Sequence, residues 1–164
     1  MLIDHAVLGR VRLIAERSGF RHEVGGVLLG SYRDGHLHVM DATAPQSTDR
    51  WSRTRFWRSP AGHQDIAQAA WARSGGLITH VGEWHSHPES WPNPSLLDRS
   101  SWLKSRREQG RGLTFVIVGR RDVCVCAITD LGAVRRLQRI DDDSAGVLYG
   151  EPPPRPPLQS SDRS

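Results

Sequence analysis

Two histidines separated by a single residue, followed by a serine and an aspartate, have types and spacing suited to metal chemistry. These residues are His85, His87, Ser95 and Asp98, and Glu23 lies far upstream of them. Two imidazoles and a carboxylate can hold one zinc ion and leave its fourth position open to water, as in catalytic rather than structural zinc sites. We therefore predict that His85, His87 and Asp98 bind Zn²⁺.

Hydrolysis is the chemistry expected at such a site. Zinc lowers the pKa of a bound water to about 7, and a general base must then move a proton from that water to a leaving amine. Glu23 is the candidate base, because it opens a predicted buried strand beside the strand that bears the histidines. Ser95 is the candidate donor of a hydrogen bond to the oxyanion of a tetrahedral intermediate.

The end of a strand and the start of a helix are expected to position these side chains. The apolar run 77–84 leads directly into His85 and His87, and alternate residues of an extended chain point to one face. Ser95 begins a predicted helix that returns Asp98 toward the strand. Ser95 and Asp98 also match a helix N-cap with an acidic third position, so a role confined to capping is an alternative.

Helices and strands alternate along the rest of the chain. The pattern predicts helices over 4–18, 61–74 and 95–107, and strands over 24–32, 36–44, 77–84, 113–118, 122–129 and 133–140. Asp34-Gly35 marks a hairpin, and the arginine-rich segment 45–60 is expected to be a loop or an irregular strand. This order favours an α/β fold with a mixed, mainly antiparallel sheet and flanking helices.

One domain, 1–140, is predicted, followed by a disordered, proline-rich tail over 141–164. The chain has 164 residues, which is long enough to bury one core. The last segment holds three successive aspartates and the sequence Pro-Pro-Pro-Arg-Pro-Pro. Such a composition does not bury enough apolar surface to pack a core.

Hydropathy, charge and cysteine content indicate where the protein is located, which partners it has and what state its cysteines are in. Runs of about 18 apolar residues are absent and the N-terminal segment is charged throughout, so we expect a cytoplasmic protein without a membrane span. The net charge is +4, but the arginines are scattered along the chain, so nucleic acid is not expected as a partner. Cys124 and Cys126 are expected to be buried apolar side chains, since a disulfide between them would be strained.

Several residues around the motif have two interpretations. Trp84, Trp91 and Trp102 either wall a groove for an extended substrate tail, or serve as core residues and a loop anchor. Glu83 is expected to point away from His85. Five other histidines have no spacing that suggests a second metal site: His22, His36, His38, His63 and His80.

The motif resembles that of the JAMM/MPN (JAB) metalloproteases. The resemblance rests on Glu23, the strand sequence Gly-Gly-Val-Leu-Leu-Gly at 25–30 and the segment 85–98, and it covers about residues 1–130. It implies a cytidine-deaminase-like α/β fold and hydrolysis of isopeptide bonds to ubiquitin and ubiquitin-like proteins. It also implies the roles given above for the five motif residues, all of which are present, so an inactive MPN scaffold is not expected.

The sequence Val-Gly-Glu-Trp-His-Ser-His-Pro-Glu at 81–89 is most similar to a bacterial subgroup of this family. That subgroup is encoded in operons with activating-enzyme-like and conjugating-enzyme-like proteins, and the resemblance is to the deconjugating peptidase of CBASS anti-phage operons. It implies that the substrate is a nucleotidyltransferase joined to a target through its C-terminus. A sister subgroup acts on a bacterial ubiquitin-like protein, and the sequence does not separate the two.

Two other functions are alternatives. One is a peptidase that acts on phage-tail or cell-wall peptides, and the other is a non-catalytic interaction module in which zinc organises a binding face. A zinc deaminase is disfavoured, because the Pro-Cys-x-x-Cys half of its motif is missing.

Overall fold

The strand that carries the predicted histidines belongs to a mixed sheet that closes on itself. The computed structural model describes residues 1–52 and 55–152. In chain order the elements are β1 (Leu2–Asp4), α1 (His5–Arg17), β2 (Gly25–Arg33), β3 (His36–Ala42), β4 (Arg50–Ser52), β5 (Arg55–Trp57), α2 (His63–Arg73), β6 (Thr79–Ser86), α3 (Leu96–Gln109), β7 (Leu113–Val118), β8 (Val123–Ile128), β9 (Val134–Asp142) and β10 (Gly146–Gly150).

The strand order of the sheet is β1-β10-β9-β8-β7-β6-β2-β3, and β1 also pairs with β3. The β1–β3 and β6–β7 pairs are parallel and the other pairs are antiparallel. Parallel neighbours require a crossover connection, and α3 provides it between β6 and β7. The predicted α/β fold with a mainly antiparallel sheet and flanking helices is confirmed.

Apolar stripes on two of the helices pack against the sheet and form its cores. Helix α1 buries Val7, Val11 and Ala15 at helical spacing. Helix α3 buries Trp102, whose ring stacks on Phe115 with their centroids 4.3 Å apart. The two cysteines are free and buried in this second core, as predicted.

The boundary predicted at residue 140 is wrong. Strand β9 continues to Asp142, and β10 pairs with both β9 and β1, so that Leu148 lies opposite Leu2. Asp141 and Asp142 are the last residues of β9 and pair with β10, and Asp143 begins the turn, where its carboxylate accepts the N–H groups of Ala145 and Gly146. The ordered domain therefore extends to about Gly150, and the predicted tail from residue 153 onward lies outside the described residues.

Two further differences concern short elements. The three-residue strand β1 was not predicted, and segment 45–60 contains the hairpin β4–β5. The predicted turn at Asp34-Gly35 is present, with both residues at positive φ (49° and 77°), as a tight hairpin requires. Within the described residues, none of the helices combines the length and the apolar character needed to cross a membrane.

Candidate metal centre

Two imidazoles converge where β6 ends. The intervening Ser86 turns to the opposite side, where its N–H donates to the Val24 carbonyl (2.8 Å) and its Oγ accepts the Val24 N–H (3.0 Å). The His87 N–H donates to the Val118 carbonyl at 2.9 Å, which keeps the chain extended beyond the strand. The Nε2 atoms of His85 and His87 consequently lie 3.0 Å apart, and both side chains are buried.

Helix α3 brings Asp98 to the same point. Asp98 Oδ1 lies 3.3 Å from His85 Nε2, and Asp98 Oδ2 lies 3.5 Å from His87 Nε2. The helix begins with a complete capping box, because Ser95 Oγ accepts the Asp98 N–H (3.1 Å) while Asp98 Oδ2 accepts the Ser95 N–H (2.7 Å). The cap and the cluster thus share Asp98, and capping fixes the carboxylate that faces the histidines.

The three side chains fit a small divalent cation. A tetrahedral zinc ion with ligands at about 2.0–2.1 Å requires ligand atoms about 3.3 Å apart. The two histidine Nε2 atoms are 3.0 Å apart, Asp98 Oδ1 is 3.3 Å from His85 and Asp98 Oδ2 is 3.5 Å from His87. With one ligand atom taken from each residue, all three atoms lie within 4.8 Å of one another. Within the described part of the chain, these residues are the group whose ligand atoms come close enough to hold a metal ion.

Glu23 faces this cluster from the segment before β2. It precedes the first strand residue by two positions instead of opening the strand, and its N–H donates to the Ser52 carbonyl of β4 (3.2 Å). Its Oε1 lies 3.8 Å from His87 Nε2, and the side chain is nearly buried. Burial raises the pKa of Glu23, and the neighbouring His85 and His87 lower it by less.

The charges of the cluster suit metal binding. Burial raises the pKa of Asp98, but hydrogen bonds with His85 and His87 lower it further, so the pKa is well below its ordinary value and the carboxylate stays ionised. Burial lowers the pKa of His87, and Asp98 outweighs this effect, so the net pKa is raised. His87 Nδ1 lies 3.3 Å from the exposed Glu89 carboxylate, a contact that leaves Nε2 directed at the cluster.

A groove leads away from the cluster between the β4–β5 hairpin, β6 and α3. We call it the metal-side groove; its lining includes Glu23, Phe56, Arg58, Glu83, Leu97 and Ser101. The Phe56 ring lies over Gly25, where an added Cβ would be 2.8 Å from the ring and 2.4 Å from the Trp84 carbonyl oxygen. The first glycine of the Gly-Gly motif therefore allows the hairpin to approach the sheet.

The core interpretation is confirmed for Trp84 and Trp102, which are buried although both border the metal-side groove. Trp91, predicted as a loop anchor, is instead 64% exposed in the loop after His87. The prediction for Glu83 is wrong. It lies two residues from His85 on the same strand, so both side chains face the groove, and Glu83 accepts hydrogen bonds from Arg58 and Ser105.

A buried polar network beside the site was not predicted. His63 Nδ1 lies 2.6 Å from Thr43 Oγ1, and its Nε2 lies 3.0 Å from Asp49 Oδ2. The Asp49 carboxylate also accepts the N–H groups of Gln46 and Ser59, at either end of the loop that carries the hairpin. These residues come from separate segments, and a single histidine without a spacing motif gives no sequence signal for such a network.

Comparison with known proteins identifies the family. Residues 5–137 match the family described as prokaryotic homologs of the JAB domain, and the chain belongs to this family. A segment of 100 residues is 50% identical to a Pseudomonas aeruginosa protein named CD-NTase/cGAS isopeptidase, and covers 60% of this chain and 63% of that protein. A Vibrio cholerae protein of the same name is 41% identical over 100 residues, with 61% and 64% of the two chains covered. The matches thus span just under two thirds of these relatives.

Two solved structures share the fold. A Desulfitobacterium hafniense protein superposes with a TM-score of 0.60 at 20% identity, covering 82% of this chain and 87% of that protein. A Salinibacter ruber protein gives a TM-score of 0.54 at 25% identity, with coverage of 92% and 97%. Both likenesses cover most of this chain, and they support the α/β assignment.

Proposed function

We propose that this protein is a zinc-dependent isopeptidase that hydrolyses the bond after the C-terminus of a conjugated nucleotidyltransferase of the CD-NTase class. The observation that carries the proposal is the convergence of the five motif residues in a member of the JAB family. The names of the relatives favour a nucleotidyltransferase over a ubiquitin-like protein as the substrate. We place the activity in one domain that ends near residue 150.

His85, His87 and Asp98 would hold the zinc ion, since their donor set suits this metal and their spacing fits it. When bound, zinc supplies a Lewis acid that makes a water molecule easier to deprotonate. Glu23 takes a proton from the attacking water and delivers it to the leaving amine of the target. A carboxylate with a raised pKa suits this second step, because it must hold the proton before releasing it.

Ser95 has a second task in this scheme. Its hydroxyl donates to Asp98 Oδ2 at 2.6 Å, while its oxygen accepts the Asp98 N–H. When the substrate carbonyl gains negative charge, rotation of the hydroxyl hydrogen redirects that donor to the oxyanion. The helix cap keeps the Ser95 oxygen in place during this rotation, because the Asp98 N–H still donates to it.

The proposal places the enzyme in a conjugation pathway. An isopeptidase reverses a bond that other enzymes make, so we propose activating-enzyme-like and conjugating-enzyme-like proteins as its operon partners. The same reasoning extends to a role in CBASS antiviral defence, with the nucleotidyltransferase as the protein that is released.

A conjugate with a defined bond tests the proposal. The operon's nucleotidyltransferase, joined through its terminal carboxyl to the side chain of a lysine in a reporter protein, is incubated with metal-loaded and chelator-stripped protein. We expect cleavage by the loaded protein, with mass spectrometry showing the intact C-terminus and a free lysine. Cleavage that survives complete metal removal would contradict the proposal, and so would stoichiometric zinc binding without any cleavage.

A further inference from the structure

Ser86 joins the segment that carries the candidate base to the segment that carries the histidines. It lies between His85 and His87 in the sequence, and it is only 1% exposed. Its N–H donates to the Val24 carbonyl at 2.8 Å, and its Oγ accepts the Val24 N–H at 3.0 Å. Val24 directly follows Glu23. The residue next to the base is therefore held at both of its backbone groups by the residue between the two histidines.

One of these two hydrogen bonds depends on a side chain. The antiparallel pairing of β2 with β6 begins at Gly25 and His85, so Val24 and Ser86 form the next pair in register. Paired residues of a regular antiparallel ladder exchange two backbone hydrogen bonds. Here the hydroxyl of Ser86 accepts in place of its carbonyl. A residue without a hydroxyl at this position would leave the buried Val24 N–H without its acceptor.

Strand β7 supports the two histidines independently of the Ser86 hydroxyl. His85 lies opposite Ile117 in the parallel β6–β7 pair. The His87 N–H donates to the Val118 carbonyl at 2.9 Å. Loss of the hydroxyl should therefore leave both imidazoles where they are.

The segment that carries Glu23 has different supports. The Glu23 N–H donates to the Ser52 carbonyl, and the preceding His22 stacks on Trp51 with their ring centroids 5.4 Å apart. Both contacts are with the β4–β5 hairpin, whose strands form a sheet separate from the closed one. These contacts hold the base against the hairpin, whereas the Ser86 hydroxyl holds it against the strand that bears the histidines.

We propose that Ser86 is a positioning residue that sets the distance between the Glu23 carboxylate and the histidine pair. The inference rests on the proposed function. Ser86 acts through Val24 and takes no part in proton transfer itself. A general base works only within hydrogen-bond reach of the proton that it takes, and a displacement of about 1 Å can lower a rate about a hundredfold.

Substitutions of Ser86 test this role with the nucleotidyltransferase conjugate as substrate. In Ser86→Ala, kcat should fall about ten- to hundredfold, while KM and zinc affinity stay at their parent values. Ser86→Thr keeps a hydroxyl and should restore most of kcat. Ser31→Ala is the matched control, because Ser31 is a buried serine of β2 whose hydroxyl contacts Met40. It should keep the parent kcat.

Amide hydrogen exchange in the metal-free protein measures the same contact without any activity. In Ser86→Ala, the Val24 amide should exchange about tenfold faster, as expected for the loss of one hydrogen bond. The His87 amide, which β7 holds, should exchange at the parent rate. If circular dichroism shows that Ser86→Ala does not fold, Ser86→Cys fills the same space with a weak acceptor and should show the same changes in kcat and exchange.

Three results would overturn the inference. An unchanged kcat in Ser86→Ala would mean that the position of the base does not depend on this contact. Zinc affinity that falls in step with kcat would mean that Ser86 supports the histidines instead. A loss of kcat in Ser86→Thr as large as in Ser86→Ala, with a parent-like Val24 amide, would mean that the hydrogen bond is not the cause.

Failure of the proposed function is separable from these results. If the parent does not cleave the conjugate, the proposed function fails, and crystal structures of the zinc-loaded parent and Ser86→Ala decide the inference. A displaced Glu23 carboxylate beside unmoved histidines would support it. A carboxylate that superposes on that of the parent would overturn it.

Discussion

The metal centre and the β4–β5 hairpin face each other across one groove, but different forces hold them. The side chains of the candidate metal centre come from the end of β6 and the first turn of α3, and backbone hydrogen bonds and a capping box fix them. Among the described residues, a backbone hydrogen bond from the Glu23 N–H to the Ser52 carbonyl joins the hairpin to the segment before β2. Its loop is closed instead by the Asp49 carboxylate, which is fully buried against His63.

Because different contacts hold the two regions, metal binding and the shape of the groove are separable properties. Loss of a ligand removes the metal from a scaffold whose strands and helix cap remain. Loss of the buried network leaves the ligands in place but releases the wall that carries Phe56 and anchors Glu23.

The largest effect is expected from His85→Ala. Loss of one ligand should lower zinc affinity by more than the roughly 10–100-fold that loss of an outer contact costs, and cleavage should fall below detection. The exposed His36, changed to Ala, is the control. Metal titration and circular dichroism check the result. Retained stoichiometric zinc in His85→Ala would contradict the assigned ligand set.

Asp49→Asn should destabilise the fold by about 3 kcal/mol, because the buried carboxylate accepts three hydrogen bonds and an amide cannot accept them all. Urea unfolding measures the change, and Asp65→Asn, at an exposed position of α2, is the control. The folded fraction should still bind zinc while its cleavage rate falls. If zinc affinity falls in parallel with stability, the two regions are not separable.

Stability should depend on pH through His80 of β6. Burial lowers the folded-state pKa of His80 to about 4 from an ordinary 6.5. The unfolded chain therefore takes up a proton below about pH 6.5 that the folded protein does not, and stability falls as the pH drops from 6.5 toward 4 by at most about 3 kcal/mol. His80→Gln should show a smaller fall in urea unfolding over this range. An equal fall would show that other groups cause the pH dependence.

Glu89→Gln should have the smallest effect. Its carboxylate lies near His87 Nδ1 but is 60% exposed, so we expect zinc affinity to fall no more than about tenfold. Competition with a chelator of known affinity measures the change, with Glu16→Gln on α1 as the control. A loss as large as that of His85→Ala would mean that Glu89 is itself a ligand.

Local patterns in the sequence were sufficient to predict that His85, His87 and Asp98 come together, and metal binding by them stays a prediction. The two-residue spacing of His85 and His87 and the Ser95–Asp98 capping box are properties of single elements, so the sequence shows them directly. Strand β10 was missed although one partner, β9, is adjacent in the sequence, because its other edge is ordered by β1, more than a hundred positions away. The contacts of Arg58 with Glu83, and of His63 with Asp49, likewise depend on the folded sheet.

The central claim is that Glu23 acts as the base beside a zinc ion held by the histidines and the aspartate. The most direct measurement is the single-turnover cleavage of the nucleotidyltransferase conjugate by Glu23→Gln, with bound zinc quantified in the same sample. The account predicts about one zinc per chain, as in the parent, and a rate lower by at least about a hundredfold. A rate equal to that of the parent would contradict it.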